Sequence, residues 1–157
     1  MKINEGQQAP PFILYDSDKN KVSLTDFSGK NVVLLFFPLA FTSVCTAELC
    51  SVRDNLSMYN ELNAEVLGIS VDSLHTLKRF KQDQDLNFRL LSDFNKEVST
   101  AYGSIYDTFS FDMKGVSKRG AFVIDGAGVV TYAEVLENAG NQPNFDAIKK
   151  ALQVVKS

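Results

Sequence analysis

The sequence predicts an α/β fold in which parallel βα units are followed by a β-hairpin and a closing helix. Three observations predict it. Val32 to Phe37 is an unbroken apolar, partly β-branched run, as expected of a central strand covered on both faces. Cys45, Leu49, Val52, Leu56 and Tyr59 then follow at helical spacing and make one apolar stripe. Further on, Ala121 to Ile124 and Val129 to Val135 flank Asp125-Gly126-Ala127-Gly128, whose glycines suit a hairpin turn.

The remaining elements fill in between. Pro10-Pro11 stands where an N-terminal arm joins the domain, and Phe12 to Tyr15 and Lys21 to Ser23 read as an antiparallel pair turned by Asp16-Ser17-Asp18-Lys19-Asn20. After the central strand, Pro38 interrupts the chain, and Thr42 or Ser43 is a suitable N-cap for the helix containing the stripe. Ala64 to Val71 is the next expected strand, Leu74 to Gln84 a helix, Arg89 to Leu91 a short strand, and Glu97 to Tyr102 a helix ending at Gly103. Asn144 to Val155 closes the chain as a helix. This is the element order of the thioredoxin-like fold, with an N-terminal β-hairpin added. At 157 residues, 45% of them hydrophobic, the chain is expected to form a single domain over residues 1–157.

Composition narrows the function. A formal net charge of −3 supplies no basic field to draw the chain onto nucleic acid or anionic lipid, so neither is an expected partner. The longest apolar run, Val32 to Phe37, is far short of the roughly 20 residues needed to cross a bilayer. The stretch Met1-Lys2-Ile3-Asn4-Glu5-Gly6 lacks the apolar region of a secretory signal, and the expectation is a cytoplasmic protein. Two cysteines are too few for a disulfide scaffold, which leaves redox chemistry or simple burial. The single His75 limits any metal site or Cys-His pair to one imidazole.

The chemistry points to the segment from Phe36 to Cys50, between the central strand and its helix, the usual active-site edge of an open α/β sheet. Cys45 falls in the first helical turn, where unpaired backbone N–H groups and the helix dipole favour a thiolate, the reactive form. The same apolar stripe would also accommodate an inert buried cysteine. Glu48 lies three residues on, and an unpaired carboxylate there would oppose a thiolate, so a cation is required. Arg119 stands at the start of the Ala121 to Ile124 strand. If that strand is antiparallel to Val32 to Phe37, Arg119 shares the sheet edge of Cys45 and can hold Glu48, the thiolate and a substrate oxygen together. Arg53 is a weaker candidate for the same network.

Pro38, Thr42 and Cys45 form Pro-x-x-x-Thr-x-x-Cys, which resembles the active-site motif of peroxiredoxins, and Arg119-Gly120-Ala121-Phe122-Val123-Ile124-Asp125 resembles the segment carrying that family's catalytic arginine. The resemblance implies a thiol-dependent peroxidase without cofactor, reducing hydrogen peroxide and organic hydroperoxides. It gives Cys45 the role of peroxidatic nucleophile, Thr42 that of hydrogen-bonding the substrate, and Pro38 that of shielding the thiolate from water. Phe36 to Thr42 looks most like the alkyl hydroperoxide reductase E branch, which has one cysteine. Cys50, five residues after Cys45, instead looks like the bacterioferritin comigratory protein or peroxiredoxin Q branch, where the second cysteine resolves the first as an intramolecular disulfide. A thioredoxin- or glutaredoxin-like reductant and a homodimer are the partners this resemblance implies. Two other readings stand beside it: a thioredoxin-type dithiol oxidoreductase, which would want Cys-x-x-Cys, and a copper-binding thioredoxin-fold module using Cys45, Cys50 and His75.

Overall fold

Seven strands form one mixed sheet in the computed structural model, which describes residues 3–155; Met1 and Lys2 of the N-terminal stretch read above lie outside them. The strands are β1 (Ile13–Asp16), β2 (Lys21–Ser23), β3 (Asn31–Phe36), β4 (Ala64–Ser70), β5 (Arg89–Ser92), β6 (Arg119–Ile124) and β7 (Val130–Leu136), in the order β2-β1-β5-β4-β3-β6-β7. β3, β4 and β5 are parallel, and β1 with β2, β6 and β7 add antiparallel pairings on either side. The helices are α1 (Ser43–Asp54), α2 (Leu56–Glu61), α3 (Leu74–Asp83), α4 (Glu97–Ala101) and α5 (Phe145–Val155). None of the described helices is long and apolar enough to cross a membrane.

The continuous apolar run of β3 has its explanation in two cores. Val33, Leu35 and Phe37 pack on one face with Leu49, Val52, Leu77 and Ile148, while Val32, Leu34 and Phe36 pack on the other with Phe12, Val98 and Tyr102. Side chains alternate across a strand, so a strand covered on both faces needs an apolar residue at every position. The β6–β7 turn forms as its sequence predicts: Asp125 Oδ1 accepts from the amides of Ala127 and Val129, and Gly128 takes φ +85°.

One expected element differs. The stripe from Cys45 to Tyr59 predicts one helix, but the chain breaks at Asn55 (φ −115°, ψ 16°) into α1 and α2. Asn55 Nδ2 donates to the Ser51 carbonyl at 2.8 Å, a local bond that competes with the helical ladder. Cys45, Leu49, Val52 and Tyr59 are all buried nonetheless, because both helices cover the same face.

Candidate active site

β3 delivers the chain to a buried Pro38, and a short turn through Leu39, Ala40 and Phe41 separates it from α1. Thr42 is the N-cap and Ser43 the first helical residue, which sets Cys45 in the first turn; Glu48, three residues on, lies along the same side. Antiparallel pairing puts Gly120 of β6 opposite Phe36 of β3. Arg119 therefore stands beside the C-terminal end of β3, at the edge where α1 begins.

The Arg119 guanidinium joins the site. Nη1 donates to Glu48 Oε1 at 2.5 Å, and Nη2 donates both to Cys45 Sγ at 3.3 Å and to the Ala139 carbonyl at 2.9 Å. Cys45 and Arg119 are each only 1% exposed and Glu48 is fully buried. Two buried atoms, Arg119 Nε and Glu48 Oε2, have no hydrogen-bond partner among the described residues. Burial is the largest influence on both charges. It pushes the Glu48 carboxyl up to about 7, although Arg119 pulls it back. Burial also works against the Arg119 charge, but Glu48 and Cys45 together outweigh it and hold the guanidinium above its ordinary value.

The raised Glu48 carboxyl has a consequence for stability. Between the ordinary value of 4.5 and about 7 the folded chain holds a proton that the unfolded chain has lost. Linkage then makes stability fall as pH rises through that window, with no contribution to the slope outside it. Glu48→Gln has no carboxyl to titrate. The difference between wild-type and variant urea midpoints should therefore move against the wild type as pH is raised from 4.5 to 7, and midpoints that run parallel would disprove the assignment.

Cys45, Glu48 and Arg119 are thus brought together, as the sequence expects. Thr42 lies at the same helix start. Its hydroxyl is exposed and donates to the Leu39 carbonyl at 2.8 Å, so its proton is engaged within the turn rather than directed at the thiol. Its lone pairs remain. Cys50 is half-buried on α1, with Sγ 3.5 Å from Gln84 Oε1 just beyond the end of α3. Arg53 is corrected from the Cys45 network to this junction: Nε donates to Asp54 and Nη1 to the Gln84 carbonyl. His75 is exposed on α3, and no group of three His, Cys, Asp or Glu suited to a metal occurs among the described residues, so the copper set is not assembled. Sequence reasoning missed Ala139, whose contribution is a backbone carbonyl that any residue could supply.

Residues 5–133 match the AhpC/TSA family. The chain belongs to that family and is a peroxiredoxin. It is 39% identical to alkyl hydroperoxide reductase E of Mycobacterium bovis, over 85% of this chain and 86% of that one. Among solved structures, peroxidoxin BcpB of Mycobacterium tuberculosis superposes with a TM-score of 0.87 at 27% identity, covering 99% of both chains. The reduced 2-Cys peroxiredoxin of Plasmodium vivax gives 0.86 at 32% identity, covering 97% of this chain and 81% of that one. As a peroxiredoxin with a thioredoxin-like fold, the chain is a thiol-dependent peroxidase, and the dithiol-oxidoreductase and copper-module readings give way to that activity.

Proposed function

We propose that Cys45 is the nucleophile that reduces hydrogen peroxide and organic hydroperoxides, with Arg119, Thr42, Pro38 and Glu48 completing the site. The observation that carries the reading is the 3.3 Å contact between Arg119 Nη2 and Cys45 Sγ, made by a guanidinium that Glu48 holds from its other nitrogen. A guanidinium so fixed stabilises negative charge on the sulfur and on an oxygen bound beside it.

In the reaction, the Cys45 thiolate attacks the terminal oxygen of the hydroperoxide. The S–O bond forms as the O–O bond breaks, and sulfur gives up two electrons. The peroxide proton stays on the sulfenic oxygen, while the departing alkoxide or hydroxide takes a proton from water and leaves as alcohol or water. Charge develops on that departing oxygen. The buried, unpartnered Arg119 Nε and the backbone N–H of Cys45 in the first helical turn are the donors available to meet it. Thr42, having donated to Leu39, uses its lone pairs to accept the peroxide O–H. Pro38 is the buried apolar wall that keeps water from the sulfur. A sulfur only 1% exposed admits substrate by a local opening, and the Ala139 carbonyl on Nη2 is the contact a peroxide oxygen must displace. Intact mass after one equivalent of peroxide tests the first step: Cys45 should gain one oxygen, or lose two hydrogens with Cys50, and an unmodified Cys45 refutes it.

Cys50 then resolves the sulfenic acid, its sulfur attacking that of Cys45 with loss of water. Both cysteines are free. While α1 is intact, the five-residue step leaves their side chains about 140° apart with about 7.5 Å of axial rise, too far for a disulfide. The first turn, which begins at exposed Thr42 and Ser43, must unwind. Peroxide should therefore yield one intramolecular disulfide and a loss of helicity by circular dichroism, with tryptic mass spectrometry locating the bond. A sulfenic acid that persists at Cys45 while Cys50 stays free would assign resolution to an external thiol. A thioredoxin- or glutaredoxin-like dithiol donor returns the enzyme to its reduced form, which fits a cytoplasmic homodimer in a reducing compartment.

A further inference from the structure

The turn between β3 and α1 holds an unfavourable conformation. Phe41 takes φ +66°, in the left-handed region that a bulky residue rarely occupies. Such a turn persists only where its surroundings hold it; besides the Thr42–Leu39 bond within the turn, its contacts come from the segment after β4 and from α3. Ala40 N–H donates to Asp72 Oδ2 at 2.8 Å. The Phe41 ring packs edge-on against Phe80 of α3 with centroids 5.1 Å apart, and Phe37 packs on the same Phe80 ring at 6.3 Å.

Asp72 is itself held. Ser70, the last residue of β4, donates its hydroxyl to Asp72 Oδ2 at 2.7 Å and accepts from the Asp72 amide at 3.2 Å. Ser92 Oγ donates to the Asp72 carbonyl at 2.6 Å. Ser70 at the end of β4 thus holds the carboxylate and Ser92 at the end of β5 holds the Asp72 backbone, and among the described residues the carboxylate's one bond outside this cluster goes to the turn that carries Pro38 and Thr42. It does not reach Cys45, Glu48 or Arg119.

We propose that Asp72 is a positioning residue of the peroxide reaction, fixing through the Ala40 amide the strained turn that presents Pro38 and Thr42 to Cys45. The proposal rests on Cys45 being the nucleophile. Its chemical logic is that peroxide cleavage needs the substrate oxygens aligned with sulfur and with donors, and small misplacements cost roughly a hundredfold in rate. Alkylation by iodoacetamide needs a reactive sulfur but no acceptor for a peroxide O–H, which is the part Thr42 plays. The ratio of the two rates therefore isolates positioning from reactivity and exposure.

Asp72→Ala should lower the stopped-flow rate of Cys45 oxidation by peroxide by roughly ten- to a hundredfold while leaving its alkylation rate unchanged. Asp72→Asn keeps an oxygen that accepts from Ala40 N–H and should retain most of the peroxide rate. If Asp72→Ala fails to fold, Ser70→Ala keeps the carboxylate but frees it to rotate, and should give a smaller loss confined to peroxide. An unchanged peroxide rate in Asp72→Ala, an equal fall in both rates, or no peroxide-specific loss in Ser70→Ala where that variant is needed, overturns the proposal. Cys45→Ser is measured alongside: if it still consumes peroxide, the nucleophile assignment fails instead, whatever the Asp72 variants do.

Discussion

Cys45→Ser is expected to abolish peroxide consumption with a dithiol reductant in excess, while the fold is retained. The substitution exchanges one sulfur for one oxygen at a position only 1% exposed, so packing against Leu49 and the β3 face changes little. The chemistry changes completely, because a serine hydroxyl carries almost no alkoxide near neutral pH and forms no counterpart of a sulfenic acid. Cys50 cannot substitute for it. Its sulfur contacts Gln84 Oε1, whereas the Arg119 contact belongs to Cys45. The companion Cys50→Ser should still consume one equivalent of peroxide in a single turnover and stop at the sulfenic acid. Substantial steady-state turnover by Cys45→Ser would remove Cys45 from the mechanism.

Much of the site was legible because its logic is periodic. The unbroken run Val32 to Phe37 announces a strand buried on both faces, and β3 is one. The three-residue spacing of Cys45 and Glu48 puts both on one side of α1, and an antiparallel β6 brings Arg119 to the same edge. What pattern could not supply is of another kind. Asn55 breaks the helix through its own side-chain bond to Ser51, and an apolar stripe records burial without recording whether the backbone beneath it is continuous. The Ala139 carbonyl reaches Arg119 from a loop 20 residues away in sequence, and a backbone oxygen leaves no signature in residue identity. Thr42 was identified as a hydrogen-bonding residue, yet the direction of its bond depends on the Leu39 carbonyl, which only the geometry of the turn supplies. Asp72 carries no period at all. It follows β4 by two residues and would pass in the sequence for an ordinary helix-start residue, a role that Ser73 takes instead.

Arg119→Met should slow the attack on peroxide by about a hundred- to a thousandfold, the usual effect of removing one donor to a developing oxyanion. Methionine is shorter, reaching about as far as Arg119 Nε, but it adapts to irregular apolar surroundings and fills most of the space the stem occupied. Three partners lose their donor: Glu48 Oε1, Cys45 Sγ and the Ala139 carbonyl. Breaking a buried ion pair ordinarily costs about 3–5 kcal/mol, because one charge is left uncompensated. Here the cost is moderated, since Glu48 already lies near 7 through burial and takes up a proton more readily once Arg119 no longer pulls it down. The double variant Arg119→Met/Glu48→Gln should therefore recover stability relative to Arg119→Met but not rate. That divergence separates the two roles of the guanidinium. The thiolate absorbance of each variant measures the fraction of Cys45 that is ionised. Stopped-flow oxidation rates divided by that fraction should remain well below the wild-type value, because the guanidinium acts on the departing oxygen as well as on the sulfur. If the division restores the wild-type rate, Arg119 acts on ionisation alone and the transition-state donors are to be sought in the backbone of the first α1 turn.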